Sequence, residues 1–343
     1  GFFCVISHDF TIFFVFLPAV SKRMFYALNK YQNLQLVLAL LLFAWSAYTV
    51  FVQMTPFPPE GQPVLYQAIY SLWGHAPVLC KSIVLFLLLF SVLLLQHIFL
   101  TNKFSDNRTF LPVVFFLLFL NAGHFLQHLT PAFFTMLVTL LVLLINTNQE
   151  NGRPVKNKVF FSGVLISVAA LVDLGALWLI LFMVFALLTD KNYRPKDILV
   201  LLSGILMVII YLVSYYYLTD SWPSVQNSLR QLTFFAFFTH ISDLAVLDWV
   251  LIGFLLLSGF YVIAVLKIHY DTKLIVLRKH YMLVVFLCFL MSLSILLTAT
   301  TMPHTLIYWV VPFSLLDGML AQLKMRRYLN DILIIAVFVL LWF

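Results

Sequence analysis

The sequence predicts an all-α, polytopic membrane bundle of about 11 transmembrane helices. Three observations carry that prediction. The 343 residues are 63% hydrophobic and only 10% charged, with a mean hydropathy of +1.04, whereas a water-exposed surface calls for about a quarter charged residues. Apolar runs of about 20 residues recur along the chain, the length that crosses a bilayer as a helix. Stretches such as "VLALLLFAW" and "SIVLFLLLFSVLLL" do not alternate polar with apolar, as barrel strands do. The third observation is the distribution of basic residues.

The spans are expected at about 34–54, 78–100, 110–126, 131–146, 159–172, 174–189, 197–218, 244–266, 281–301, 304–320 and 328–343. With this alternation, eighteen of the 20 Lys and Arg residues fall on one side, and only Lys81 and Arg230 on the other. Cytoplasmic loops carry the excess of Lys and Arg. The basic side is therefore read as cytoplasmic, which puts the N-terminus of the main body inside. The net charge of +7 follows from this topology. The basic residues form no continuous stripe, so nucleic acid is not an expected partner.

Residues 1–23 hold the apolar run "FTIFFVFLPAV", preceded by His8 and Asp9 and followed by Lys22 and Arg23. A signal peptide has the opposite polarity. The segment stays open between an extra (twelfth) span, a surface-lying helix and a non-native piece. Met24 begins "MFYALNKYQNLQLVLALLLFAW", a basic-then-apolar membrane entry, and residues 24–343 are read as one integral domain.

After the first span comes the outer loop "TPFPPEGQPVLYQAIYSLWGHAP", with Glu60 as its only charge. Leu65, Ile69, Leu72 and Trp73, with Tyr66 and Tyr70 beside them, suit a short helix lying in the interface. The pair 110–146 is an undersized hairpin with "NAGHFLQHLTP" at its tip, carrying His124, Gln127 and His128. The run 159–189 has Lys156 and Lys158 before it and Lys191 after it. Both its ends lie on the basic side, so it must turn back at Asp173-Leu174-Gly175. Each arm is about 22 Å of helix against a core of about 30 Å. Two adjacent short hairpins with polar tips predict a hollow on the outer side, since irregular backbone at membrane depth needs cover. The loop 219–243 adds Asp220, Trp222, Arg230, His240 and Asp243 around "LTFFAFF".

No Gly-rich phosphate loop, HExxH or GxSxG is present. Candidates are single polar groups, each with two readings. Asp173 is a helix-terminus cap or a cavity acid. Glu60 is a solvated loop charge or a functional acid. Lys81 and Arg230 contact lipid headgroups or bind an anionic phosphate. His124 and His128, spaced i, i+4, serve as interfacial hydrogen-bonding groups or ligands, but no third ligand stands nearby, so no metal site is expected. Asp220 and Asp243 add outer-face binding acids. Asp317 is expected to pair with Lys324 and Arg326. Cys4, Cys80 and Cys288 lack CxxC spacing and read as buried small hydrophobes.

Residues 90–222 carry "LLLQHIFLTNKFSDNRTFLPVVFFLLF", "LTPAFFTMLVTLLVLL" and "KVFFSGVLISVAALVDLGALWLILFMVFALLTDKNYRPKDILVLLSGILMVIIYLVSYYYLTDSW". On these the chain resembles a family of polytopic inner-membrane proteins of Bacteroidota that has no assigned activity. Its layout is also similar to the membrane half of the GT-C glycosyltransferases, which use polyprenyl-phosphate sugars. That resemblance implies an acid in the first outer loop, where Glu60 stands in "PPEGQ", and a second acid at a later helix start, where "HLTPAFF" has none.

The expected function is a non-enzymatic component or subunit of a membrane assembly, with membrane lipids and other membrane subunits as partners and no cofactor. One alternative is a GT-C-like transferase. There Glu60 would be base or metal ligand, Asp173 a cavity acid, Lys81 or Arg230 the contact to a polyprenyl-phosphate, and a divalent metal a possible cofactor. The other is a carrier of small molecules or lipids.

Overall fold

The computed structural model describes residues 32–56, 64–102, 104, 109–122, 125–147, 156–189, 194–220, 253, 260, 263, 264, 275–294 and 307–320. Among them, in chain order, are α1 (Gln32–Val52), β1 (Thr55–Pro56), α2 (Val64–His75), α3 (Pro77–Thr101), α4 (Leu111–Ala122), a 3-10 turn (Phe125–Gln127), β2 (His128–Leu129) and α5 (Ala132–Thr147). Then follow α6 (Lys156–Val172), a 3-10 turn (Leu174–Leu177), α7 (Trp178–Leu188), α8 (Pro195–Leu218), α9 (Ile275–Ser294) and α10 (Ile307–Leu320). Nine of the eleven expected segments coincide with helices among the described residues; 244–266 and 328–343 lie largely or wholly outside them, as does the segment 1–23.

Proline opens α3 and α8, where its fixed φ suits the first turn and its missing N–H is not needed. At α8 the Asp197 carboxyl also accepts from the Arg194 backbone N–H at 3.1 Å, an acid placed where the helix dipole favours it.

Side-chain ties give the direction of each helix. Gln35 Oε1 accepts from Thr109 Oγ1 at 3.0 Å and from the Phe110 N–H at 2.7 Å. Eleven or twelve residues further along each chain, Asn121 Nδ2 donates to Ser46 Oγ at 2.8 Å. Helices α1 and α4 therefore run side by side in the same direction, and the strands that follow them pair in parallel, Thr55 with His128 and Pro56 with Leu129. Helix α3 runs the other way: Lys81 Nζ donates to Phe51 O near the end of α1, and Gln96 Nε2 donates to Thr109 O near the start of α4, both at 2.8 Å. The end of the bundle where α1 starts is called proximal here, and the opposite end distal.

Helix α5 starts at the distal end and α6 returns along it. Thr135, in the first turn of α5, bonds Asp173; Asn146, near its end, donates to Met183 Sδ of α7 at 2.8 Å. These two ties lay α7 along α5 in the same direction, so the chain reverses between α6 and α7 at Asp173. Helix α8 then starts proximally and packs along α6 more extensively than any other described pair. Phe104 stacks on Tyr281 and meets His280 edge-on at the start of α9. Trp309 Nε1 donates to Ser292 Oγ at its end. Helix α10 thus descends from the distal end, and Gly318 reaches Pro112 and Phe99 at the proximal end.

Helices α4 and α10 are buried throughout and form the centre. Among the described residues, helices α1, α3 and α8 are the three long and apolar enough to cross a membrane. They expose Leu41, Trp45, Phe86, Leu93, Tyr211 and Leu218, the last at 81%. An apolar flank of that extent demands a cover. The described basic residues Lys156, Lys158, Arg194, Lys196, Arg278 and Lys279 all sit on first turns at the proximal end, with Lys81 alone among them at the distal one.

Helix α2 differs in phase from the sequence reading. Tyr66 and Trp73 are its buried residues, at 1% and 7% exposure, and Ile69 packs beside them. Leu65, Tyr70 and Leu72 are exposed. Gln67, Ser71 and His75 mark one polar side of this helix, but Leu65, Tyr66, Ile69, Tyr70, Leu72 and Trp73 make the rest apolar, so hydropathy does not select which of them dock. The Tyr66 hydroxyl makes the selection by donating to Leu129 O at 2.6 Å.

Candidate functional site: the Asp173 junction

Helix α6 ends because Asp173 leaves helical backbone, at φ −152° and ψ 118°. Its N–H still closes the last turn by donating to Ala169 O at 2.8 Å, and its carbonyl accepts from Ala176 N–H at 3.1 Å. Its side chain caps the following 3-10 turn, Oδ1 accepting from the Gly175 N–H at 3.1 Å, the capping role that short acidic side chains fill. Oδ2 accepts two more bonds, from Thr135 Oγ1 and from the Tyr308 hydroxyl, each at 2.5 Å. One carboxyl therefore joins α5, the α6–α7 turn and α10, at 4% exposure.

Gly175 makes the approach of Tyr308 feasible. A Cβ there would lie 2.5 Å from the Tyr308 hydroxyl oxygen and 2.8 Å from Cζ. The junction fills three of the roughly four acceptor positions of the carboxylate with these donors. It fixes a chain reversal and holds the first turn of α10 against the first turn of α5.

The remaining predicted residues are dispersed. Lys81 spends its ammonium on Phe51 O, a cation at a helix C-terminus. His128 Nδ1 lies 2.9 Å from Thr55 Oγ1, across the paired strands. Asp220 follows α8 in left-handed backbone, φ 50°, which Asp tolerates better than most residues. Glu60, His124, Arg230 and Asp243 lie outside the described residues. Among the described residues no group of three or more His, Cys, Asp or Glu side chains is placed to hold a metal ion.

Two participants escaped the sequence reading. Thr135 and Tyr308 lie 38 and 135 residues from Asp173, too far for any spacing rule. Asp317 was expected in an ion pair, but Lys324 and Arg326 are outside the described residues. Asp317 itself is 1% exposed, and neither of its oxygens accepts a hydrogen bond among the described residues. No family model matches this chain, and neither a curated protein nor a solved structure does.

Proposed function

We propose that this chain is a multi-pass protein of the bacterial inner membrane, proximal end to the cytoplasm, acting as a non-enzymatic component or subunit of a membrane assembly. The exposed apolar flank of α1, α3 and α8 supports lipid and membrane subunits as its partners. The clustering of basic residues at the proximal end supports the orientation. The observation that carries the non-enzymatic reading is the engagement of Asp173. The acid read from the sequence as a possible cavity acid accepts from Gly175, Thr135 and Tyr308. An acid so engaged stabilises a fold rather than receiving a substrate proton.

A second reading rests on element order. One long helix, a distal helix α2 docked on α3 and α6, the long α3, and then two short hairpins follow the layout of a GT-C-like transferase of about 11 spans. In it Glu60 serves as base, and Lys81 or Arg230 contacts a polyprenyl-phosphate. Native mass spectrometry of the protein extracted with its lipids separates the two. A stoichiometric protein partner is expected; a retained polyprenyl-phosphate sugar in place of a partner would contradict the first reading and favour the second.

A further inference from the structure

We infer that Asp317 is a proton-binding site in the core of the bundle. Every described residue of α10 from Ile307 to Met319 is buried. Asp317 sits near its proximal end with both carboxyl oxygens shut off from solvent and, among the described residues, no hydrogen bond to either. Asp173 and Asp317 are thus opposite cases, the first meeting α10 through Tyr308 and the second carried by it. The first carboxyl returns three bonds for its burial. The second returns none, and an uncompensated polar group in an apolar interior is a cost without structural benefit. Acids kept at membrane depth on such terms mark ion or proton sites.

The surroundings select the proton over a metal cation. Helices α4 and α5, packed on either side of α10, contain no ionisable residue. Helix α9 presents Cys288, within electrostatic reach of Asp317, and carries Arg278, Lys279, His280 and Tyr281 at its proximal start. Helix α3, which touches α10 through Phe99, carries Cys80, Lys81 and His97. The other titratable group of α10 is Tyr308, already bonded to Asp173. Among the described residues no group of three or more His, Cys, Asp or Glu side chains is placed to complete a metal shell. A metal cation needs several oxygens at once; a proton needs one.

Helix α10 also has a soft point between its two carboxyl contacts. Pro312 lies inside it and donates no hydrogen bond to the carbonyl four residues earlier, that of Tyr308. Asp317 lies nine residues beyond Tyr308, about 13 Å along the axis. Proton binding at Asp317 therefore acts on the helix whose other end is tied to the Asp173 junction.

Infrared difference spectroscopy of the full chain in lipid tests the assignment, with dicyclohexylcarbodiimide labelling and peptide mass spectrometry beside it. In an apolar setting a protonated carboxyl passes its proton to a carbodiimide nitrogen and adds through oxygen to the central carbon, and the O-acylisourea so formed rearranges to a stable N-acylurea. Expected are a C=O band of a carboxylic acid free of hydrogen bonds, converted reversibly to carboxylate as pH rises, and an adduct on Asp317. Both are lost in Asp317→Asn, and Asp317→Glu restores them. A band and adduct unchanged in Asp317→Asn, or absent from the parent chain while α10 is folded, would overturn the proposal. Labelling blocked by sodium at constant pH would overturn it in favour of a metal cation.

Discussion

Asp173 gathers three hydrogen bonds on one buried carboxyl. Asp173→Ala leaves two hydroxyls and one backbone N–H buried without an acceptor, a loss of roughly 3–5 kcal/mol from orphaned groups that each cost about 1–3. Tyr308→Phe removes one donor and leaves the other two in place, so about 1–2 kcal/mol is expected. If the two act through one contact, their double-mutant cycle shows a coupling of roughly 0.5–3 kcal/mol. Cys80 and Cys288 are free and buried, so a thiol-reactive dye reports unfolding in detergent and supplies both values. Gly175→Ala drives its new methyl into the Tyr308 hydroxyl and should cost about 1–3 kcal/mol by overpacking. Equal stability of Gly175→Ala and the parent would show that Tyr308 does not need this approach. At this scale the sequence was half legible. That Asp173 terminates a helix could be read from "ALVDLGALW". Its partners could not, because Thr135 and Tyr308 are ordinary residues of apolar helices until the fold brings them together.

Helices α6 and α8 bring their backbones into close approach at Gly163 and Gly204. A Cβ on Gly163 would run into Leu201 O and stand 3.3 Å from Ile205 N; one on Gly204 would meet Phe160 O and stand 3.2 Å from Val164 N. Backbone carbonyls cannot give way as a side chain does, and small residues are what let membrane helices pack this closely. Gly163→Leu should therefore separate α6 from α8 and lower stability by about 1–3 kcal/mol or more, read in the same thiol assay. Val168→Ala, at a half-exposed site on the same helix, should change it by about 0.5 kcal/mol or less. A Gly163→Leu protein as stable as the Val168→Ala control would contradict the close packing. Element existence was legible here because the apolar runs are long. The docking face of α2 was not, because Leu65, Tyr66, Tyr70 and Leu72 are all apolar and the choice between them is made by a single hydroxyl bond from Tyr66 to the strand at Leu129.

The whole bundle is arranged around one reversal. Lys156 and Lys158 before the run and Lys191 after it made that reversal readable, since one crossing would have split basic residues between the two faces. The ties from α5 to Asp173 and to Met183 then lay α7 back along the way α6 came. That Asp317 meets no hydrogen-bond partner among the described residues was not readable: the same sequence that suggested partners at Lys324 and Arg326 says nothing about which way the carboxyl turns once α10 packs against α4, α5 and α9. The reversal is tested most directly by single-cysteine labelling, with the three native cysteines replaced by alanine and the protein expressed in intact bacterial cells. Lys158→Cys and Arg194→Cys, both at the proximal end, should resist a membrane-impermeant maleimide until the inner membrane is permeabilised, while Tyr70→Cys on α2 reacts at once. Labelling of Lys158→Cys and Arg194→Cys from opposite faces would mean that residues 156–188 cross once, and the account of Asp173 as the point of return would be wrong.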